Sequence, residues 1–366
     1  MKIRFAALVT ALVIAISSTS VHADGTVDGT IGAAYGPAVS VQTVNTQFGD
    51  EDGPDGVGGA DGGELDAAYL SIIGDRLFIG ITGNVETDSF NKLNLFIDSR
   101  SGGENILSAL PEYDFANVST NLGLVSFAPG FEADFHVFGR AGLGNYEVDF
   151  VDRQGGTSTN VLSSFGSAIL SGDFGTAIGT IGSTAGTGDG VTGPAAAMPI
   201  DFALDNSNIA GVVAGTDAAV TADALAVTTG AEFSIALSDL DAEPGDTITI
   251  VVAYSNGDYN FFSNQYLGGL PAGTENLGAD GAGNFVADAS ATALDLTAVT
   301  PFSITVPGGV FVLGDADLNG IVNFADIPAF IAVLQSGNFL DQADINRDGV
   351  VDFSDIPGFI AILIAQ

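Results

Sequence analysis

The alternation of apolar and polar positions predicts a chain made mainly of β-strands between residues 24 and 305. Residues 68–73 and 76–82 flank Gly74-Asp75, a tight-turn pair that favours a hairpin. Residues 92–98, 233–237 and 247–254 are apolar runs of strand length. With 50 glycines, many short strands and few helical patterns, the chain is expected to form a mainly β, jelly-roll-like β-sandwich.

Strand 146–151 shows the clearest two-residue period. Tyr146, Val148 and Phe150 fall on one face, and Glu147 and Asp149 fall on the other. This pattern is typical of a strand with one buried face. Residues 165–215 are instead rich in Gly, Ala, Ser and Thr, and we expect a low-complexity insertion with little order of its own.

The chain ends in a 12-residue acidic loop that is written twice, 29 residues apart. Oxygen-bearing side chains stand at loop positions 1, 3, 5, 9 and 12, and Gly stands at position 6. A calcium ion is bound by this spacing, because alternate residues of a tight loop point at one centre. The sequence therefore predicts two Ca²⁺ ions. These positions are Asp315, Asp317, Asn319, Asn323 and Asp326 in the first loop, and Asp344, Asn346, Asp348, Asp352 and Asp355 in the second.

Each loop is followed by the pattern of a short amphipathic helix. Apolar residues recur at i, i+3, i+4 and i+7, and a Pro lies in each first turn, where it is tolerated. No helical period precedes Asp315, so each unit is a loop with only its exiting helix, unlike an EF-hand. The apolar stripes are Ile327, Phe330, Ile331 and Leu334, and Ile356, Phe359, Ile360 and Leu363.

Residues 310–366 resemble a type I dockerin, which implies an all-α module with two calcium loop–helix repeats and a cohesin-type partner. The resemblance implies that the ten side chains above bind the ions, and that the backbone carbonyls of Ile321 and Val350 fill loop position seven. Both loops end in Asp, as dockerin loops do. The two halves should be related by a pseudo-twofold axis, so that two equivalent faces could meet one partner in opposite orientations.

In dockerins the two residues before the final Asp help to select the cohesin. Here these residues are Phe324-Ala325 and Phe353-Ser354. They depart from the frequent Ser-Thr pair, which leaves the calcium chemistry intact but changes the expected partner. The alternative is that Phe324 and Phe353 are core aromatics.

The strand pattern of the first domain more loosely resembles family 9-like carbohydrate-binding modules and DOMON domains. The likeness rests on strand 92–98 and on a Pro244-Gly245-Asp246 turn before strand 247–254. It implies a sugar-binding sandwich, although such modules usually stack sugars on Trp and this chain has none. The candidate ligand patch is the aromatic and amide-rich segment 254–266, with Tyr254, Tyr259, Phe261 and Tyr266. Alternatively, these aromatics only cover the edge of the sandwich.

Residues 1–23 have the pattern of a secretory signal peptide. A short basic start precedes the apolar run 5–16, and cleavage is expected after Ala23. The alternative is a retained N-terminal anchor. No later segment has the length of a transmembrane helix, so we expect no membrane span and a secreted or cell-surface location. The expected domains are then 24–305 for the sandwich, 306–313 for a linker and 314–366 for the dockerin-like tail.

Charge and cysteine content limit the partners. Without the leader, six basic residues remain against 45 acidic ones, a formal net charge of −39. Nucleic acid and anionic membranes both require basic surface, so neither is an expected partner. The exported chain has no Cys, and its stability must come from its core and from calcium.

The residues give little support for catalysis. His136 is the only histidine outside the leader, and nucleophile–base arrangements have no Cys to use. Glu132 and Asp134 alternate onto one strand face and are the best carboxylate pair for a glycosidase. A Gly- and Asp-rich loop at 49–61 is either a further calcium loop or a solvated acidic loop.

Three functions remain open on the sequence alone. The first is a secreted calcium-binding dockerin protein that docks a recognition domain, carbohydrate-binding by resemblance, onto a cohesin-bearing partner in polysaccharide breakdown. The second is a glycoside hydrolase or lyase that acts on polysaccharide through carboxylates of the sandwich. The third is a structural or adhesive cell-surface protein that uses its tail only for assembly.

Overall fold

The structure is a computed structural model, and it describes most of the chain outside the first 25 residues. Within the described residues the protein is mainly β, as the sequence predicts. The predicted signal peptide and the acidic loop 49–61 lie outside them. The described ranges are 26–32, 35–44, 63–87, 89–115, 118–157, 160–172, 174–208, 221–270, 294–307, 312–318, 320–336, 340, 342–347 and 350–364.

Sixteen strands are formed by the described residues, and most belong to two sheets. In chain order they are β1 (Ser40–Val41), β2 (Glu64–Ile73), β3 (Arg76–Asn84), β4 (Lys92–Asp98), β5 (Ser126–Phe127), β6 (Phe135–Gly142), β7 (Asn145–Thr157), β8 (Asn160–Ile169), β9 (Thr176–Ile181), β10 (Val191–Gly193), β11 (Ile200–Asp205), β12 (Gly230–Ala236), β13 (Thr247–Ser255), β14 (Phe262–Leu267), β15 (Asp295–Leu296) and β16 (Phe302–Thr305).

The six-stranded sheet has the order β1-β2-β3-β12-β11-β9, and the eight-stranded sheet has the order β10-β8-β7-β6-β4-β13-β14, with β16 also paired to β13. The predicted hairpin is confirmed, because Ile73 pairs with Arg76 and Gly74 takes a positive φ of 60°. The predicted strand 92–98 coincides with β4.

One hydrophobic cluster joins the inner faces of both sheets. Ile79 and Phe233 come from the six-stranded sheet, whereas Leu95, Val148 and Ile250 come from the eight-stranded sheet. All five side chains are at most 1% exposed. The alternation of β7 predicts this inner face correctly.

The outer face of the eight-stranded sheet is also buried. The long connection from β4 to β6 (residues 99–134) folds back over it and forms a second cluster with the sheet residues Phe96, Phe138 and Val251. The covering side chains include Tyr113 and Phe127, which are at most 1% exposed. The carboxylates on the second face of β7 therefore lie in an interior.

The expectation of a low-complexity insertion at 165–215 is wrong for the described residues. The end of β8 and the whole of β9, β10 and β11 lie there, and β11 pairs with both β9 and β12. Small residues are needed because the backbones pack closely on Phe202. A Cβ atom at Gly179 would lie 2.5 Å from that ring, and one at Gly166 would lie 2.8 Å from it.

The tail contains the two predicted helices and a core of its own. A short helix α1 (Thr221–Ala224) lies earlier in the chain, and the tail helices are α2 (Asp326–Ser336) and α3 (Ile356–Ile364). Phe330 and Phe359, at equivalent positions of the two repeats, stack with ring centroids 4.0 Å apart. They share a cluster with Ala316, Val322, Ala343, Val351 and Leu363.

The predicted linker 306–313 divides between the two parts of the chain. Val306 is buried and exchanges backbone hydrogen bonds with the Gly245-Asp246 turn, so it belongs to the sheets. Val312 packs against the core of the tail. None of the described helices is long and apolar enough to cross a membrane.

Candidate calcium loops and a buried charged cluster

The first acidic loop brings three carboxylates together. One oxygen from each of Asp315, Asp317 and Asp326 lies within 4.8 Å of the others. Asp315 is 2% exposed and Asp326 is fully buried, whereas Asp317 is exposed. Oxygen donors converging at this spacing suit a hard divalent cation such as Ca²⁺.

The final Asp closes each loop in the same way. Asp326 accepts backbone N–H bonds from Asp317 (3.1 Å) and Asn323 (2.8 Å). Asp355 accepts the equivalent bonds from Asn346 (3.0 Å) and Asp352 (2.9 Å). The carboxylate at position 12 thus ties positions 3 and 9 to the start of the helix, and a longer Glu would hold them farther away.

The second loop repeats the burial pattern of the first. Asp344 is 5% exposed and Asp355 is fully buried, whereas Asn346 and Asp352 are exposed. Position 4 is left-handed in both loops, with φ of 60° at Leu318 and 59° at Arg347. The predicted ligands at position 5, Asn319 and Asp348, lie outside the described residues.

Loop positions 6, 7 and 9 are arranged as a tight turn that leads into the helix. Gly320 at position 6 has φ of 83°, and its N–H donates to Asp315 Oδ2 at 2.8 Å. Asn323 Oδ1 accepts from the Ala325 N–H at 2.7 Å, and Asp352 Oδ1 accepts from the Ser354 N–H at the same distance. The hydrogen bonds from Ser354 lower the pKa of Asp352.

The residues before each final Asp are at the surface. Phe324 is 68% exposed and Phe353 is 80% exposed, so the alternative that they are core aromatics is wrong. Ala325 and Ser354 are exposed as well, and the Ser354 hydroxyl accepts a hydrogen bond from Asn346 Nδ2 at 2.6 Å. The predicted core stripe is also too wide, because Ile331 and Ile360 are 45% and 51% exposed.

The predicted aromatic ligand patch is wrong. Tyr254, Tyr259 and Tyr266 are fully buried, and Phe261 is half-buried. Tyr254 packs in the cluster between the sheets and accepts a hydrogen bond from the Glu86 N–H at 3.0 Å. The rings fill the interior because the outer face of the sheet is covered, so they offer no face to a ligand.

The carboxylate pair proposed for catalysis does not face one open site. Asp134 is fully buried, and its Oδ2 accepts the backbone N–H groups of Ser99 (2.9 Å) and Arg100 (3.0 Å). Burial raises its pKa. Glu132, by contrast, is exposed. These contacts give Asp134 a structural part in fixing the chain after β4.

A cluster of buried charges lies on the outer face of the eight-stranded sheet. Arg140 contacts three carboxylates: Asp114 (2.9 Å), Glu147 (3.0 Å) and Asp149 (3.1 Å). Lys92 Nζ lies 2.8 Å from Asp114 and 4.2 Å from the centroid of the Tyr259 ring. This charged cluster of Lys92, Asp114, Arg140, Glu147 and Asp149 was missed in the sequence, where the only signal was the alternation of Glu147 and Asp149.

The cluster holds two cations and three carboxylates, and burial makes the excess negative charge costly. Burial raises the pKa of Asp149 to about 7, against the opposing effect of Arg140. Desolvation opposes the charged form of Lys92 too and lowers its pKa, whereas the pKa of Arg140 is raised by its carboxylates. A proton on Asp149 makes the cluster neutral.

His136 belongs to a buried hydrogen-bonded chain with one direction. Arg153 Nη1 donates to the Tyr113 oxygen (3.1 Å), and the Tyr113 hydroxyl lies 3.1 Å from His136 Nδ1. His136 Nε2 lies 3.1 Å from Asn94 Oδ1. Since Asn94 Nδ2 donates to Ser255, we assign the imidazole proton to Nε2. Burial holds the pKa of His136 well below its usual value, so the ring is neutral.

The titration of Asp149 predicts a pH dependence of stability. Its pKa is higher in the folded than in the unfolded state, so the folded protein binds the proton more tightly, and stability falls as pH rises from about 4 to about 7. Between pH 5 and pH 8 this group is expected to contribute a loss of about 2 kcal/mol. Urea unfolding should show a smaller loss in Asp149→Asn and the wild-type loss in the exposed control Asp75→Asn. An unchanged pH dependence in Asp149→Asn would contradict the assignment.

No model of a known protein family matches this chain, and the curated proteins and solved structures contain no match either. The likeness to dockerins therefore rests on the loop motif and its geometry. The charged cluster and the covered sheet are likewise features read from this chain alone.

Proposed function

We propose that this protein is an exported β-sandwich that a calcium-loaded, dockerin-like tail attaches to a cohesin-type partner, in the breakdown of polysaccharide. The observation that carries the proposal is the burial of carboxylates at positions 1 and 12 of both loops. Asp315, Asp326, Asp344 and Asp355 are each at most 5% exposed. The two sheets that share one hydrophobic cluster support the sandwich.

Four buried carboxylates need a cation. The only Lys or Arg from residue 306 onward is Arg347, and its side chain is exposed. An isolated buried carboxylate costs several kcal/mol, and backbone N–H groups supply only partial positive charge. Two Ca²⁺ ions would neutralise the carboxylates, take the remaining oxygen donors of the loops and fix the start of each helix. The donor set fits the ion because it is made only of oxygen.

Equivalent exposed apolar side chains support a partner surface on each repeat. Ile321 and Val350 are 64% and 55% exposed, and Ile331 and Ile360 are about half exposed. Together with Phe324 and Phe353, they form three pairs spaced 29 residues apart. Exposed aromatic and aliphatic side chains of this kind mark interaction surfaces. The repetition supports two equivalent binding faces, and hence binding of one partner in two orientations.

Alanine substitutions test the two faces separately. In the presence of calcium, Phe324→Ala and Phe353→Ala are each expected to weaken binding to purified type I cohesin domains by no more than about threefold, because the other face remains. The double variant should lose at least about a hundredfold, since each buried aromatic anchor is worth about 2 kcal/mol or more. Calorimetry of the full mature chain measures both effects.

The control for this experiment is Ile169→Ala on β8, whose side chain is 79% exposed and therefore comparable to Phe353. It should bind cohesin as wild type does. Complete loss in either single variant would contradict the two-face arrangement. Failure of every cohesin in calcium would contradict the partner class while leaving calcium binding itself to be judged by metal titration.

A further inference from the structure

A cavity of about 560 Å³ opens beside the charged cluster. It lies at the edge of the eight-stranded sheet where β4 and β7 begin and β6 ends, between the turns that carry Phe90, Leu143 and Asp258. A pocket of this size is within the range of small-molecule sites. None of the sequence motifs predicted it.

The floor of the cavity is charged and buried. Lys92, Asp114 and Arg140 line it and are at most 4% exposed as residues. Arg140 uses Nε and Nη1 for its three carboxylates, and none of the described residues accepts a hydrogen bond from its Nη2. A buried guanidinium nitrogen without an acceptor points to an oxygen-bearing occupant.

The walls of the cavity are apolar and partly exposed. Phe90 lies in the left-handed region with φ of 57°, and its ring packs against Gly142, where a Cβ atom would lie 2.5 Å away. Phe115 is 73% exposed and Leu143 is 86% exposed, although both line the cavity. Large apolar side chains left exposed around a polar floor are typical of a binding site.

The charges select the chemistry of the occupant. Lys92 and Arg140 on the floor oppose a cation, and the surrounding carboxylates of Asp114, Glu147 and Asp258 oppose an anion. A neutral molecule with several hydroxyl groups fits both limits, because its oxygens accept from Arg140 and its hydroxyl protons donate to the carboxylates. Its C–H face would pack on Phe115, as aromatic rings do with apolar ligand faces.

We propose that this cavity binds a neutral sugar of one or two residues, with Arg140 Nη2 as a donor and Phe115 as the stacking wall. The proposal deepens, and rests on, the proposed function, in which the sandwich is the recognition part of a docked protein. It replaces the buried aromatic patch expected from the sequence with a site 13 or more residues away from any member of the Tyr259 segment along β6 and its preceding connection. The volume limits the occupant to a chain end or a short oligosaccharide.

Ligand-observed saturation-transfer NMR on the full mature chain tests the proposal. The probes are cellobiose, xylobiose, mannobiose and maltose, each at millimolar concentration with calcium present. At least one disaccharide is expected to receive saturation. In Phe115→Ala its affinity should fall about tenfold, the value of one aromatic contact, and Thr187→Trp at the mouth of the cavity should abolish binding.

The control is Ile178→Ala on β9, which removes a side chain 62% exposed on the other sheet and should bind the sugar as wild type does. Absence of saturation transfer to all four disaccharides would overturn the sugar site. Sugar binding that survives both Phe115→Ala and Thr187→Trp would overturn the location. Cohesin binding and calcium uptake, measured on the same samples, show separately whether the docking function holds.

Discussion

Chelation of calcium is expected to abolish the cooperative unfolding of the tail while the sheets remain folded. Differential scanning calorimetry of the full mature chain in calcium should show a transition for the tail, and excess EGTA should remove it. The reason is the burial of Asp315, Asp326, Asp344 and Asp355, whose charges repel one another and lack cationic side chains. The transition of residues 26–307 provides the internal reference.

The size of the effect follows from linkage. A module of about 50 residues has a stability of roughly 3–8 kcal/mol at about 0.05–0.15 kcal/mol per residue. Two ions, each at a hundredfold excess over its dissociation constant, stabilise the folded state by about 5 kcal/mol. Their removal therefore takes most of the stability and exposes the carboxylates to mutual repulsion.

A variant and a metal control make the chelation experiment specific. Asp326→Asn with Asp355→Asn removes the two closing carboxylates, and calcium should no longer raise the melting temperature of the tail. Magnesium should substitute poorly, because it demands near-octahedral geometry and gives up its water reluctantly. A tail transition that is identical with calcium and with EGTA would refute the calcium assignment.

Removal of the Arg140 guanidinium should have the second large effect, on the sheets. Arg140→Leu leaves Asp149, which is fully buried, without its cation. Loss of one partner of a buried ion pair costs about 3–5 kcal/mol. At about 2–4 °C per kcal/mol for a domain of this size, the melting temperature should fall by about 10 °C.

Arg76→Leu is the matched control for this prediction. Arg76 donates to Ser234 and to the Pro199 carbonyl, so its loss leaves no contacted carboxylate without a cation. We expect a loss of about 1 kcal/mol there, the value of ordinary hydrogen bonds. The penalty in Arg140→Leu should shrink at pH 5, where the freed carboxylates bind protons. An equal penalty in both variants would show that the three carboxylates do not matter.

Local pattern was enough to predict the strands with one clear period and the calcium loops. Strand β4 coincides with the predicted run 92–98, and the hairpin at Gly74 follows from its turn residues. The loops could be predicted because their ligands lie within 12 consecutive residues. The closing contacts of Asp326 and Asp355 then repeat what the spacing implies.

What the sequence did not reveal depends on contacts between distant segments. The carboxylates of β7 look solvent-facing until residues 99–134 fold over them, and Asp114 on that connection meets Arg140 26 residues later. The same cover buries Tyr259 and Tyr266, which the local pattern offered as a ligand patch. In the segment 165–215, small residues were mistaken for low order because the ring of Phe202, which requires them, is supplied by a strand inside the same segment.

The face-to-face contact of Phe330 with Phe359 joins the halves of the tail mechanically. Gly314, beside the first loop, also donates to the Gln342 carbonyl just before the second. The first ion to arrive therefore organises most of the scaffold that the second requires, and its entropic cost is met in advance. Calcium uptake should then be cooperative, with a Hill coefficient above one, and the tail should switch between adhesive and non-adhesive states over a narrow range of free calcium.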